Sequence, residues 1–221
     1  MSLRVKAVLF DLDGTLIDSA PDLAGTANDM RAARYLPALP FEQFRPMVGS
    51  GARGMIGVAL GITPADDGFI ALRDEFFDRY EVRMTQHTRA FDAVPAMLDA
   101  IEALGLRWGI VTNKAQRFTN PLVKALGLDV RAGAVVSGDT TPHSKPHPAP
   151  LLEAARRMGV AAHDCVYVGD DLRDVQAGQA AGMATVAAGW GYLGVGEPVG
   201  AWGAQHVVHS PDELLKLLAM A

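Results

Sequence analysis

Short apolar runs that end in polar residues alternate with helix-type patterns along most of this sequence. The run Lys6–Phe10 leads directly into Asp11-Leu-Asp-Gly, which is typical of a buried strand that ends in a turn. Similar runs begin further along the chain, at Arg107, Gly133, Asp164, Ala184 and His206. Strands that alternate with helices favour a parallel sheet covered on both faces. We therefore expect an α/β protein with a Rossmann-like core.

The segments between these strands carry apolar residues at helical spacing, and most of them end at a glycine. The predicted core helices are Val94–Leu104, Phe118–Leu126, Pro150–Met158, Asp174–Ala181 and Pro211–Met220.

One long segment, residues 19–86, breaks this alternation. It contains helix-type runs at Leu23–Ala33, Phe41–Val48, Gly54–Leu60 and Phe69–Met84, and no convincing strand. We interpret residues 19–86 as a helical cap inserted after the first strand, and residues 1–18 and 87–221 as a discontinuous core. An insert at the carboxyl end of a strand is expected to lie over the ligand-binding edge of the sheet.

Composition narrows the classes of protein to which this chain could belong. The chain has 221 residues, of which 49% are hydrophobic and 20% charged, as in ordinary globular proteins. Its net charge of −5 disfavours binding to nucleic acid. The single cysteine, Cys165, excludes an intramolecular disulfide. No signal peptide or membrane segment is recognisable, so we expect a cytoplasmic monomer or homodimer that acts on a small molecule.

Polar side chains follow four of the apolar runs. The four groups are Asp11, Asp13, Gly14 and Thr15; Thr112, Asn113 and Lys114; Lys145 in the loop after the third run; and Asp170, Asp171 and Asp174. Because the carboxyl ends of parallel strands meet at one edge, these groups are expected to share a pocket.

The acidic residues of this pocket predict a metal. Asp11 and Asp13 are two residues apart in extended chain, so both carboxylates face one side and repel each other unless a cation or a proton is present. Asp170 adds a third carboxylate from another strand. Oxygen ligands of this kind are typical of Mg²⁺.

The sequence also resembles a known family. Four segments, Asp11-Leu-Asp-Gly-Thr-Leu-Ile-Asp, Val111-Thr-Asn, Ser144-Lys-Pro and Val168-Gly-Asp-Asp-Leu-Arg-Asp, are similar in type and order to the four motifs of the haloacid dehalogenase-like hydrolases. The closer resemblance is to the phosphoglycolate phosphatase branch, because of the Val-Thr-Asn-Lys segment and the position of the helical insert.

This resemblance implies a role for each candidate residue. Asp11 would be the nucleophile that forms an aspartyl-phosphate, and Asp13 the acid and base. Mg²⁺ would be held by Asp11, the backbone carbonyl of Asp13, and Asp170. Lys145 would neutralise the nucleophile and the transferring group. The substrate would be bound by Thr112, the Asn113 amide, Gly14, Thr15 and, from the cap, Arg53, while Asp171 and Asp174 would support the metal.

Several alternatives stay open. Relatives often have a Pro-Gly turn where this chain has Phe91-Asp92-Ala93-Val94. A similar Phe-Asp turn occurs in the N-acetylmuramic acid 6-phosphate phosphatases, so the substrate is either 2-phosphoglycolate or that larger ester. A sugar phosphomutase on the same fold is a further possibility. A receiver-like signalling module, which is not an enzyme, is disfavoured by the long insert.

Overall fold

The structure is a computed structural model that describes residues 3–219. Along the chain the strands are β1 (Ala7–Phe10), β2 (Ile17–Asp18), β3 (Arg89–Ala90), β4 (Arg107–Val111), β5 (Val135–Val136), β6 (Cys165–Gly169), β7 (Ala184–Ala188) and β8 (His206–Val208). The helices are α1 (Ala20–Ala32), α2 (Phe41–Phe44), α3 (Gly51–Leu60), α4 (Phe69–Arg83), α5 (Val94–Ala103), α6 (Gln116–Ala125), α7 (Ala149–Met158), α8 (Leu172–Ala180) and α9 (Pro211–Ala219).

Six of the strands form one parallel sheet in the order β5-β4-β1-β6-β7-β8. Strand β1 lies between β4 and β6, so that Phe10 is in register with Ile110 on one side and with Val168 on the other. The carboxyl ends of β1, β4 and β6 therefore lie side by side. This arrangement explains how groups that are far apart in sequence reach one site.

The side chains of β1 show that helices cover both faces of the sheet. Val8 and Phe10 pack into one buried cluster, which also contains residues of α5 and α9. Ala7 and Leu9 pack into a second cluster on the opposite face, with residues of α7 and α8. The expected α/β fold with a parallel, Rossmann-like sheet is confirmed.

The predicted helices occur with small differences at their ends. Helix α8 begins at Leu172 rather than at Asp174, because the side chain of Asp171 caps its first turn. The run Phe41–Val48 is a single turn of α-helix followed by a 3₁₀ segment, Arg45–Ser50. Helix α9 ends at Ala219 in the structure, and Met220, the predicted last residue, lies outside the described residues.

Helices α1 to α4 lie between β2 and β3, within the segment predicted to be the cap. These two short strands pair antiparallel, Ile17 with Ala90 and Asp18 with Arg89, so the chain leaves and re-enters the core at one place. Asp22 of α1 secures the junction. Its Oδ2 accepts hydrogen bonds from the backbone N–H groups of His87 at 2.9 Å and Thr88 at 2.8 Å, and from the Thr88 hydroxyl at 2.8 Å.

Within residues 3–219, none of the helices combines the length and apolar character that crossing a bilayer would require.

Candidate active site

Asp11 stands directly after β1, where the chain turns away from the sheet. Its Oδ1 lies 2.8 Å from Lys145 Nζ and accepts a hydrogen bond from the Leu12 N–H at 2.7 Å. Burial raises the pKa of Asp11 to about 7, against the lowering effect of Lys145 and with a further raising contribution from Asp174 and Asp13. Burial and the neighbouring carboxylates thus favour the protonated form of Asp11, and a neighbouring cation favours its ionised form.

Asp13 has a different set of partners. Its Oδ1 lies 3.0 Å from Lys114 Nζ and accepts a hydrogen bond from the Ser19 hydroxyl at 2.5 Å. The two aspartates at the end of β1 therefore contact different lysines, Lys145 and Lys114. This separation gives the two carboxyl groups different electrostatic surroundings within one short segment.

Lys145 is buried among four acceptors. Its Nζ lies 2.8 Å from Asp11 and 2.7 Å from Asp174, and it donates to the Tyr167 hydroxyl at 2.8 Å and the Val111 carbonyl at 3.0 Å. Burial alone would lower the pKa of Lys145, but the adjacent carboxylates raise it. The side chain is therefore a fixed positive charge beside Asp11.

Three carboxylates converge at the centre of the site. Asp11, Asp170 and Asp174 each offer one oxygen, and these oxygens all lie within 4.8 Å of one another. Asp170 accepts hydrogen bonds from the Thr15 hydroxyl and the Tyr192 N–H, both at 2.8 Å. Burial, followed by the charges of Asp11 and Asp174, raises its pKa well above the ordinary value. An all-oxygen cluster of this kind suits Mg²⁺.

The backbone around Asp170 leaves no room for a side chain. A β-carbon on Gly14 would lie 2.2 Å from Asp170 Oδ2, and one on Gly191 would lie 2.2 Å from Asp170 Cβ. Gly14 also has a φ of +88°, which other residues rarely adopt. Gly14 and Thr15, which the sequence analysis assigned to substrate binding, thus contact Asp170 and are not among the residues that line the cavity.

Thr112 and Asn113 follow β4 and line the cavity. The side chain of Asn113 is engaged with the backbone of Lys145: Nδ2 donates to its carbonyl and Oδ1 accepts from its N–H, both at 2.9 Å. The Thr112 hydroxyl accepts from the Lys114 N–H at 3.1 Å. Asn113 therefore fixes the loop that carries Lys145, and its own contribution to a ligand would come from its backbone.

Asp171 and Asp174 form the first turn of α8. Asp171 Oδ1 accepts from the Arg173 N–H at 2.9 Å, and Asp174 Oδ2 accepts from the Asp171 N–H at 3.0 Å, which is a capping box. Burial alone would raise the pKa of Asp171, but the hydrogen bonds and the charge of Arg173 together lower it. Of these two residues, it is Asp174 that joins the acidic cluster.

Core and cap enclose a cavity of about 340 Å³ above these groups. The polar residues of the core line the side of the cavity next to the sheet. One wall is aromatic and is formed by Phe76, Phe77 and Tyr80 of α4 and by Phe118 of α6. Apart from Gly14 and Thr15, the carboxyl-end groups predicted from the sequence thus line one pocket of ligand size.

Two basic residues take part without a specific predicted role: Lys114 is among the groups expected in the pocket, and Arg173 is not. Lys114 lies between Asp13 and Tyr80, and Arg173 Nη2 donates to the backbone carbonyl of Gly49 in the cap at 2.6 Å. Both stand inside segments that carry the family motifs, yet their contacts depend on the packing of cap against core, which has no local signal in sequence.

Arg53 is not brought into this cavity. Its side chain is exposed on α3, and it lines a separate depression of about 230 Å³ beside the cavity, together with Arg173 and Trp202. The loop before it does approach the site, since Gly49, Ser50 and Gly51 line the main cavity.

Comparison with known proteins gives consistent results. The family model described as haloacid dehalogenase-like hydrolase matches residues 8–188. A phosphoglycolate phosphatase of Xanthomonas campestris pv. campestris is 48% identical over 95% of this chain and 94% of its own. An N-acetylmuramic acid 6-phosphate phosphatase of Pseudomonas aeruginosa is 41% identical over 99% of this chain and 97% of its own.

A solved structure agrees over nearly the whole length. The crystal structure of a predicted phosphoglycolate phosphatase from Haemophilus somnus superimposes with a TM-score of 0.83 at 28% identity, covering 97% of this chain and 98% of that one.

Proposed function

Because the chain belongs to the haloacid dehalogenase-like hydrolases, we propose that it is a Mg²⁺-dependent phosphatase that hydrolyses a small phosphate monoester through an aspartyl-phosphate. The observation that carries this proposal is the position of Asp11, which lies 2.8 Å from a buried lysine and within an all-oxygen cluster with Asp170 and Asp174. A carboxylate that Lys145 and a bound cation keep ionised is a competent nucleophile.

The reaction needs two bond exchanges at phosphorus. An Asp11 oxygen attacks the phosphorus atom, and the bond from phosphorus to the ester oxygen breaks. Asp13 donates a proton to that leaving oxygen, so the alcohol departs neutral. Asp13, now ionised, takes a proton from water, whose oxygen attacks the aspartyl-phosphate and releases inorganic phosphate and free Asp11.

The remaining groups stabilise charge on the phosphoryl oxygens. Lys145 holds a fixed positive charge beside Asp11, and the Thr112 hydroxyl and the Asn113 backbone amide bind phosphoryl oxygens. Mg²⁺, held by Asp11, the Asp13 carbonyl and Asp170, would neutralise the same oxygens when bound. Residues 19–86 act as the cap that keeps water away from the reaction.

Two substrates are candidates. 2-Phosphoglycolate is the substrate named for the Xanthomonas relative, and we propose it first. N-Acetylmuramic acid 6-phosphate is favoured by the size of the cavity, about 340 Å³, and by its aromatic wall, since a sugar ring packs well against aromatic side chains.

The proposal is tested by phosphate release from both esters with Mg²⁺ and with EDTA. We expect Mg²⁺-dependent release, and we expect Asp11→Asn to abolish both turnover and the acid-trapped phosphoenzyme. Asp67→Asn, which makes the same change on an exposed turn, is the matched control and should be unaffected. Retained turnover in Asp11→Asn would falsify the assignment. Accumulation of an isomerised sugar phosphate instead of inorganic phosphate would identify a mutase.

A further inference from the structure

Lys114 is a buried cation whose hydrogen-bonding capacity is not used up. Its side chain is 10% exposed, and its Nζ contacts Asp13 at 3.0 Å and the Tyr80 hydroxyl at 3.1 Å. An ammonium group has three N–H donors. Among residues 3–219 the structure gives Lys114 Nζ these two acceptors, so one donor is available to a ligand in the cavity that Lys114 lines.

The other cations of the cavity are placed differently. Lys145 Nζ faces four acceptors and has no donor to spare. Arg173 binds both oxygens of Asp171 and the carbonyl of Gly49, which holds its guanidinium at the seam between core and cap. Of these three cations, Lys114 is the one that both has a donor to spare and contacts Asp13, so we place the second anionic group of the substrate there.

The position of Lys114 relative to the reaction gives its function. Lys145 touches Asp11 and so stands on the side of the phosphoryl group, whereas Lys114 touches Asp13, the proposed proton donor to the leaving oxygen. A group bound by Lys114 must consequently belong to the alcohol part of the ester. The Tyr80 ring, whose centroid lies 4.9 Å from Nζ, and the aromatic wall around it exclude water and strengthen such a charge pair.

We propose that Lys114 binds a carboxylate carried by the leaving alcohol, and that it selects phosphate esters of hydroxy acids over uncharged analogues. This inference rests on the proposed function and names the residue that recognises the substrate of that reaction. The chemistry is shared by 2-phosphoglycolate and by N-acetylmuramic acid 6-phosphate, which carries its carboxylate on a lactyl group.

Two matched pairs of esters test the proposal and show which of the two esters supplies the carboxylate that Lys114 binds. The first pair is 2-phosphoglycolate and 2-phosphoglycolamide, and the second is N-acetylmuramic acid 6-phosphate and its lactyl amide. For the pair that contains the true substrate, we expect wild type to prefer the acid by about 10- to 100-fold in kcat/KM, mainly through KM. This is the effect of a hydrogen bond to a charged group. Lys114→Gln should reduce this preference to less than about 3-fold.

The controls separate lost recognition from lost structure. Lys114→Arg keeps the charge and should keep the preference. Lys124→Gln removes a charge from the exposed face of α6 and should change nothing. Lys114→Met is a second uncharged variant if Lys114→Gln does not fold, and circular dichroism monitors folding in each.

The proposed phosphatase activity and the proposed carboxylate recognition by Lys114 can be tested separately. If neither these esters nor para-nitrophenyl phosphate is hydrolysed with Mg²⁺, the proposed function is wrong. Calorimetric binding of the first pair to Asp11→Asn, with and without Lys114→Gln, then still measures recognition. The inference about Lys114 is overturned if wild type prefers neither acid, if the preference survives in Lys114→Gln, or if Lys114→Gln weakens acid and uncharged analogue equally.

Discussion

At the residue scale, the surroundings of Asp170 show how closely backbone and carboxylate are fitted together. Two glycines from distant parts of the chain, Gly14 and Gly191, press against it, and each would place a β-carbon 2.2 Å from an Asp170 atom. The Tyr192 N–H and the Thr15 hydroxyl hold its two oxygens. Any side chain added here would have to displace the carboxylate from the acidic cluster.

We therefore expect Gly191→Ala to raise the Mg²⁺ concentration needed for half-maximal activity and to lower kcat/KM at least 10-fold, a large effect of the kind that a displaced site residue causes. Gly196→Ala is the matched control in the same loop, because a β-carbon there meets no atom within 4 Å. A Mg²⁺ titration of phosphatase activity measures both variants. Equal Mg²⁺ requirements in the two variants would contradict this account of Asp170.

The local sequence was sufficient to predict some of the site residues and insufficient for others. Asp11 and Asp170 could be placed together because each follows a recognisable buried strand, and parallel strands end at one edge. The contact of Lys114 with Tyr80 could not, because it joins the core to a helix of the cap. Arg173 and Gly49 are 124 residues apart and meet for the same reason.

At the scale of elements, the first turn of α8 has two functions. Asp171 and Asp174 cap the helix reciprocally, and Asp174 Oδ1 also accepts from Lys145 at 2.7 Å. The start of this helix thus fixes the lysine that faces Asp11. The N-cap formed by Asp171 explains why α8 begins at Leu172, two residues before the predicted start.

Loss of the Asp171 side chain, which caps the first turn of α8, should lower the stability of the protein with little effect on metal binding. We expect Asp171→Ala to lower the free energy of unfolding by about 1 kcal/mol, which corresponds to about 2–4 °C in Tm for a chain of this size. The Mg²⁺ requirement should stay within about 3-fold of wild type, since Asp174 rather than Asp171 belongs to the acidic cluster. Thermal melts and Mg²⁺ titrations measure both quantities, with Asp67→Ala as control. A much larger Mg²⁺ requirement would instead favour the metal-supporting role that the sequence suggested for Asp171.

Element types were predicted better than the junctions between them. The central strands and most helices have clear periodicity or clear end signals. The pair β2 and β3 has neither, because two residues are too short to show an alternating pattern. Their pairing depends on the cap folding back on itself.

At the scale of the whole molecule, the site concentrates negative charge inside a folded chain. Burial and the neighbouring carboxylates raise the pKa of Asp11 to about 7, and that of Asp170 well above its ordinary value. Between their unfolded and folded pKa values, the folded state holds more protons than the unfolded state. The stability contributed by these protonated carboxyls is therefore present at low pH and is lost as pH rises toward 7 and above.

Mg²⁺ should counteract this loss, because it binds the ionised carboxylates and not the protonated ones. At ten times its Kd, a ligand stabilises by about 1.4 kcal/mol, or about 3–6 °C in Tm here. We expect such a rise at pH 8 and a much smaller one at pH 5.5, measured by thermal melts with Mg²⁺ and with EDTA. Asp170→Asn, which removes one of the charges, should lower the rise at pH 8. An Mg²⁺ effect that is the same at both pH values would argue against metal binding at this cluster.

The antiparallel pairing of Ile17–Asp18 with Arg89–Ala90 has a consequence for how such a chain can diversify. Both crossings into the insert sit at one narrow neck, and Asp22 ties them together. A different segment could join these two crossings while the parallel sheet keeps its chain path. We expect exchange of this one contiguous segment to change which esters are accepted, because it supplies one wall of the cavity, whereas Asp11, Lys145 and Asp170 lie outside it.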